Sequence, residues 1–207
     1  GYKKDEVKKY VISNNPGDFV FCEQKERLGT GHAVKQAAPY LPDAGKTLVL
    51  YADVPLVSVK ALKKLIASAN RKKLSILTAE VAEPKWYGRI IRDENQDPIA
   101  IREEADATKK EKAIHEIFTG IMVVENEFLK KGLKGLLRNN NAGEYYLTDL
   151  VDFASKRQLK IGSTQTRERE IYGANNKEEL ARLYKSLISL NVEAAKKKGA
   201  IFKDETT

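Results

Sequence analysis

At 207 residues the chain has the length of one α/β domain or two very small ones, enough to bury roughly 70% of the surface it exposes when unfolded. Its 37 Lys and Arg against 29 Asp and Glu leave a net charge of +8. That charge is scattered and lies beside no groove-reading motif, which argues against a nucleic-acid partner and suits a field that recruits anionic phosphates. One cysteine and two histidines exclude a disulfide framework and disfavour a Cys/His zinc site. Residues 5–12 carry Val7, Tyr10 and Val11 among lysines and form a short amphipathic helix. Residues 18–22 read as a strand, with Cys22 buried in it as a small hydrophobe. Residues 32–41 form a helix stopped by Pro39 and Pro42. Residues 47–51 are an apolar run of the kind found in a strand buried on both faces. Ser58 caps a helix through Ser68 whose apolar face is Val59, Leu62, Leu65 and Ile66.

Residues 74–81 are the next strand. Residues 88–92 and 98–102 then pair as a hairpin around a polar turn. A polar stretch over 106–116 is loop or short helix. A strand at 117–124, a helix at 125–138, a helix at 147–156 and a strand at 160–167 follow. A long helix over 176–198 closes the chain, with Leu180, Leu183, Leu187 and Leu190 at helical spacing. The alternation predicts an α/β fold, a mixed and mostly parallel sheet with helices on both faces. No apolar run is long enough to span a bilayer, and no secretory leader is visible. A cytoplasmic location is expected.

Six segments carry chemistry. Leu28-Gly29-Thr30-Gly31-His32-Ala33 places two glycines between a strand and a helix, where backbone can approach a ligand and free N–H groups meet acceptor atoms. A plain tight turn is the alternative there, and His32 suits packing better than catalysis. In Tyr51-Ala52-Asp53-Val54-Pro55-Leu56, Asp53 follows a buried strand, where α/β sheets bind ligands. A carboxylate in that place suits Mg²⁺ held together with phosphates, or merely caps a turn. Tyr87-Gly88-Arg89-Ile90 offers a glycine to a substrate. The neighbouring Trp86 reads as structural. Glu103-Glu104-Ala105-Asp106-Ala107-Thr108 is acidic and polar at a strand end. Gly143-Glu144-Tyr145-Tyr146-Leu147-Thr148-Asp149 precedes a helix. Gly173-Ala174-Asn175-Asn176 offers an amide oxygen to a hard metal, or a helix cap.

In this order the six segments resemble the pyrophosphorylase domain of bacterial N-acetylglucosamine-1-phosphate uridyltransferase, a family of bifunctional enzymes that also carry an acetyltransferase. The resemblance covers nearly the whole chain. It implies a Rossmann-like nucleotidyltransferase fold and Mg²⁺-dependent transfer of uridylyl from UTP to N-acetylglucosamine 1-phosphate, giving UDP-N-acetylglucosamine and pyrophosphate for peptidoglycan synthesis. By the same resemblance Gln24, Gly29 and Thr30 hold the uracil, and Tyr51, Ala52 and Asp53 line the nucleotide. Asp53 and Asn175 bind the metal and converge to do so. Gly88 and Glu103 contact the sugar, as does the position of Phe118. An amide such as Gln24 does present one donor and one acceptor to a base edge.

Where the family reads Tyr-Gly-Asp, this chain reads Tyr51-Ala52-Asp53. Where the family reads Asn-Thr-Gly, it reads Phe118-Thr119-Gly120. Ala105 replaces the lysine usual before Asp-Ala-Thr. The family's opening strand and Gly-rich loop, with their triphosphate-clamping Arg and Lys, match nothing in the sequence given. The expectation is one sugar-nucleotidyltransferase domain over 1–207, lacking that strand and loop and without the β-helix acetyltransferase domain through which the family mainly oligomerises. Turnover by residues 1–207 alone is then expected near background. Two alternatives stand beside this: a non-catalytic remnant that binds nucleotide or pairs with another chain, and a nucleotidyltransferase for a different sugar 1-phosphate.

Overall fold

The computed structural model describes residues 3–174 and 176–202. In chain order the elements are α1 (Lys4–Asn14), α2 (Thr30–Ala37), β1 (Lys46–Val49), α3 (Val59–Ser68), β2 (Leu74–Glu80), β3 (Arg89–Arg92), β4 (Pro98–Arg102), α4 (Lys109–Lys112), β5 (Glu116–Glu125), α5 (Asn126–Gly135), α6 (Asp149–Ser155), β6 (Ile161–Thr166) and α7 (Lys177–Lys197). Ser58 caps α3 as expected, its hydroxyl accepting from the Ala61 N–H. The polar stretch before β5 makes the short α4, closed at its start by a Thr108–Glu111 capping box.

The sheet runs β4-β3-β5-β2-β6, and β1 also lies against β5. The expected helix–sheet alternation is present, and the sheet is mixed. The expectation of a mostly parallel core is corrected. Among the described residues β2 and β6 pair parallel, whereas β1–β5, β2–β5, β3–β4 and β3–β5 pair antiparallel. The antiparallel share follows from β5, whose ten residues take β2 along one edge and β1 and β3 along the other.

Helices cover both faces. On one face Leu74, Ile76, Phe118, Met122 and Val124 pack with Phe128, Leu129 and Leu133 of α5 and Leu150 and Val151 of α6. On the other, Leu77, Ile121 and Val123 pack with Ala61 and Leu65 of α3. The face predicted for α3 is only partly right, because Val59 and Ile66 point to solvent.

Two strands depart from expectation. Residues 18–22 form no strand: they have no ladder partner among the described residues, and Phe19, Val20 and Phe21 stay exposed. A lone segment leaves its backbone groups to water and gains no ladder. Cys22 is accordingly half-buried. β1 is half-buried, not enclosed on both faces. Its pairing with β5 uses one edge, and no described strand lies on the other.

β5 carries a bulge. Met122 lies opposite Ile76, but Phe118 lies opposite Thr78, so four steps along β5 answer two along β2. Gly120 sits inside this irregularity with φ of 83°, a conformation that favours glycine. The Thr119 hydroxyl donates to the Leu77 carbonyl at 2.9 Å, which the ladder leaves free there.

Among the described residues no helix is long and apolar enough to cross a membrane.

Candidate active site

The bulge and the loops around it shape a cleft of about 780 Å³ lined by residues that include Tyr51, Asp53, Gly88, Glu103, Phe118 and Gly120. The Tyr51 ring lies flat against Gly120: a Cβ there would fall 2.7 Å from two ring carbons. A β-carbon at Gly120 therefore has no room, which explains a glycine in mid-strand. Burial pushes the Tyr51 phenol up to about 12, against a smaller lowering by the Thr30 hydroxyl.

Gly88 faces Glu103. A Cβ on Gly88 would lie 2.8 Å from Ile101 Cγ2 and 3.4 Å from Glu103 Oε2, so the missing side chain keeps the carboxylate open to the cleft. Glu103 Oε1 accepts from the Thr148 hydroxyl at 2.8 Å. Desolvation raises the Glu103 pKa above the ordinary carboxylate value, the Thr148 hydrogen bond lowers it, and Asp106 and Glu144 raise it further. A desolvated carboxylate with acidic neighbours is an acceptor short of donors, and sugar hydroxyls can supply them.

Phe118 is 5% exposed and belongs to the core cluster with Ile90 and Ile101, reaching the cleft only with an edge. Its N–H donates to the Gly88 carbonyl at 2.8 Å. This joins β5 to the segment that carries Gly88.

Asp53 is exposed at the cleft wall. Its carbonyl accepts from the Ala174 N–H at 3.3 Å, and Gly173 packs against the same carbonyl. The turn before α7 is thus brought to Asp53. Asn175 itself lies outside the described residues, and Asn176 caps α7 by accepting from the Glu179 N–H. Ala52 is exposed beside Asp53 and is not among the lining residues.

Gln24, Gly29 and Thr30 form a second group outside the residues lining the cleft, and the Thr30 hydroxyl acts on the Tyr51 phenol. The Gln24 amide nitrogen donates to the Gly29 carbonyl at 3.0 Å and meets His32 Nδ1 at 3.2 Å. Its donor is spent on the turn, which leaves the amide oxygen for a ligand. His32 also meets Gln36 Nε2 and stacks on Tyr145, the packing role expected of it. The turn docks on the Gly-Glu-Tyr-Tyr-Leu-Thr-Asp segment. Leu28 O accepts from the Tyr145 N–H, and the Gly31 N–H donates to Tyr145 O, both at 2.8 Å. Leu147 N–H donates to the Thr30 hydroxyl at 3.1 Å.

Sequence reasoning singled out neither Thr148 nor Arg89 within their segments, and it assigned Trp86 to packing. Trp86 instead stands 78% exposed on the cleft. Its signal was available in retrospect, a large apolar side chain one turn before Gly88.

Comparison with known proteins identifies the family. A family model described as "Nucleotidyl transferase" matches residues 2–170. The "Bifunctional protein GlmU" of Idiomarina loihiensis is 38% identical over 205 residues, 99% of this chain and 44% of its own length. The protein of that name from Neisseria meningitidis serogroup A is 43% identical over 198 residues, 95% of this chain and 43% of its own. The chain spans less than half the length of these relatives. Among solved structures, a putative glucose-1-phosphate thymidylyltransferase from Bacillus anthracis, in complex with a sucrose, superposes with a TM-score of 0.63 at 18% identity, covering 79% of this chain and 63% of that one. At that identity the likeness is one of fold.

Proposed function

We propose, for a chain that belongs to the nucleotidyl transferase family, that its cleft serves uridylyl transfer from UTP to N-acetylglucosamine 1-phosphate. The observation that carries this is the convergence of Tyr51, Asp53, Gly88 and Glu103, from three separate segments, on one cleft. The names of the curated relatives support the same reading.

A phosphate oxygen of the sugar phosphate attacks the α-phosphorus of UTP. The new P–O bond forms as the bond to the β-phosphate bridging oxygen breaks, and pyrophosphate leaves with that electron pair. No covalent enzyme intermediate is needed, so the protein's contribution is to position the reactants and stabilise charge. Glu103 accepts from sugar hydroxyls, held in place by Thr148. Gln24 and the Gly29–Thr30 turn address the base, and Tyr51 connects the two ends.

The donor set fits Mg²⁺. Among the described residues no three His, Cys, Asp or Glu side chains gather to hold a metal by themselves. Asp53 presents a hard carboxylate at the cleft with no cation paired to it in the described residues. Mg²⁺ commonly takes one or two carboxylates and fills its shell with phosphate oxygens and water. Asp53 would hold it, with Asn175 joining by the family resemblance, and the ion would neutralise charge on the transferring phosphate.

A second acceptor sugar has one observation in its favour. Phe118 offers no polar atom where the family contacts the sugar, and it is anchored in the core.

The test is pyrophosphate release from UTP with a panel of sugar 1-phosphates, using residues 1–207 joined to the family's opening Gly-rich segment. Release with N-acetylglucosamine 1-phosphate that Asp53→Ala reduces at least about a hundredfold is expected. Release with another sugar alone would replace the assigned acceptor. No release with any sugar would remove the enzymatic reading.

A further inference from the structure

Trp86 occupies a conformation that its residue type resists. It is the third residue of a turn closed by the Tyr87 N–H donating to the Pro84 carbonyl at 3.2 Å, and its φ is 76°. Glycine is the usual occupant of that position in a type II turn. A bulky L residue there is an outlier that persists only where its surroundings over-determine it.

The surroundings do so from behind. The Glu104 carboxyl is held below its ordinary value first by the Arg89 guanidinium, and the Trp86 backbone adds to this. Arg89, only 2% exposed, donates to Glu104 at 2.6 Å and also to the Tyr87 carbonyl. The buried Arg89 guanidinium, paired with the partly exposed Glu104, thus fixes the turn just after Trp86. The indole gains nothing from burial in return, because it is 78% exposed and lines the cleft. Lys85 Nζ lies 5.0 Å from the ring centroid. An unfavourable backbone that displays a large aromatic surface to a cleft is explained by what the cleft holds, not by the fold.

We propose that Trp86 is a specificity residue: its indole is the platform on which the pyranose ring of the sugar phosphate stacks. The inference rests on the nucleotidyl-transfer reading of the cleft. Position selects the sugar over the base. Trp86 lies two residues before Gly88, which faces Glu103, whereas Gln24, Gly29 and Thr30 are not among the residues lining this cleft. Chemistry agrees, since one face of a pyranose is a patch of C–H groups. Such a patch packs on the electron-rich face of an indole while the hydroxyls point outward to acceptors such as Glu103.

Trp86 is the chain's only tryptophan, so its emission reports on this side chain alone. The experiment titrates the full chain with UDP-N-acetylglucosamine, N-acetylglucosamine 1-phosphate and UMP, reading tryptophan emission and binding heat in parallel. The two sugar-bearing ligands should change the emission, and UMP should bind without changing it. Trp86→Ala should weaken UDP-N-acetylglucosamine by about threefold to tenfold and leave UMP unaffected. Trp86→Gly should weaken the sugar ligand equally while its melting temperature stays level or rises, because glycine accepts the turn's φ. A residue kept only for structure would move those two readouts together. If UDP-N-acetylglucosamine binds with unchanged emission and unchanged affinity in Trp86→Ala, the platform is overturned while the nucleotidyl-transfer reading stands. If the unmodified chain gives heat with neither UDP-N-acetylglucosamine nor UMP, both fall.

Discussion

Gly29→Ala isolates the joint between the two most specific segments of the sequence. Gly29 has φ of 99° and ψ of 175°, a region open in practice to glycine and costing another residue about 1–3 kcal/mol. An added Cβ would also stand 2.7 Å from the Tyr145 carbonyl oxygen, 2.8 Å from Glu144 Cβ and 3.0 Å from the Tyr145 nitrogen. Two of those atoms are backbone, so relief requires the segments to part, at an overpacking cost of about 1–3 kcal/mol. Parting them strains the hydrogen bonds from Tyr145 N–H to Leu28 O and from Gly31 N–H to Tyr145 O, each worth about 0.5–1.5 kcal/mol net. Together the destabilisation is about 3–9 kcal/mol, a large part of the roughly 5–15 kcal/mol that holds a domain folded. Gly45→Ala is the control. Its φ of 101° is nearly the same, but its Cβ would meet only Asn126 Nδ2, at 3.7 Å. It should show the conformational cost alone. Urea denaturation followed by circular dichroism measures both variants. If Gly29→Ala falls within about 1 kcal/mol of Gly45→Ala, the docking of the turn on Tyr145 is not the constraint described.

Three further outcomes follow from the site. Sugar-nucleotide affinity should decline as pH falls through the raised Glu103 pKa, at a pH above the ordinary 4.5, because a protonated carboxyl loses acceptor capacity; Glu103→Gln should flatten that profile in calorimetric titrations. Burial, with Asp152 and Glu103 nearby, pushes the Asp149 carboxyl up from 3.8 to about 6, so the fold loses stability as pH rises from about 4 to 6. Asp149→Asn should therefore match the parent near pH 4 and exceed it at pH 7 by about 1 kcal/mol, a value discounted from a ceiling near 3 for partial exposure and the favourable helix N-terminus; equal urea midpoints at both pH values would contradict this. Phe118→Asn should destabilise by about 3–5 kcal/mol, since it removes a ring from the core and buries an amide there; tighter sugar binding with an unchanged melting temperature would show that the ring belongs to the cleft instead.

Much of the architecture was legible because its signals are local. Ser58 before an apolar repeat and the polar turn between two short β runs each specify their element within a few residues. The family was legible too, since the order of six short segments survives where overall identity to relatives is only 38–43%. What the sequence hid depends on partners distant in the chain. Residues 18–22 have strand composition, yet composition cannot supply a ladder. Thr47 to Val49 read as enclosed, yet one edge of β1 has no described neighbour. Gly120 was visible as a glycine in a strand, but the bulge it permits appears only against β2. At the site, Tyr51, Asp53, Gly88, Glu103 and Phe118 meet on the cleft as their segments implied. Trp86 was read as packing because a tryptophan in a loop usually is; only its φ and its exposure distinguish it.

Three violations of ordinary folding rules meet on this one cleft. A tryptophan takes a glycine's φ, a glutamate is desolvated beside acidic neighbours, and the central strand breaks its ladder at Gly120. Each is compensated by a neighbouring group, by Arg89 with Glu104, by Thr148, and by the Thr119 hydroxyl respectively. Those compensators are mostly buried and turn away from solvent, so their effect is to hold the cleft's groups in place before any ligand arrives. A fold selected for stability alone would relax all three, because glycine at 86, an uncharged side chain at 103 and an unbroken ladder are each locally preferable. The bulge makes room for Tyr51, the desolvated carboxylate lacks donors, and the indole lacks a covering surface. A ligand with hydroxyl groups on its rim and a C–H face answers the last two demands together, which is why the sugar end of the substrate belongs where Trp86 and Glu103 face the same space.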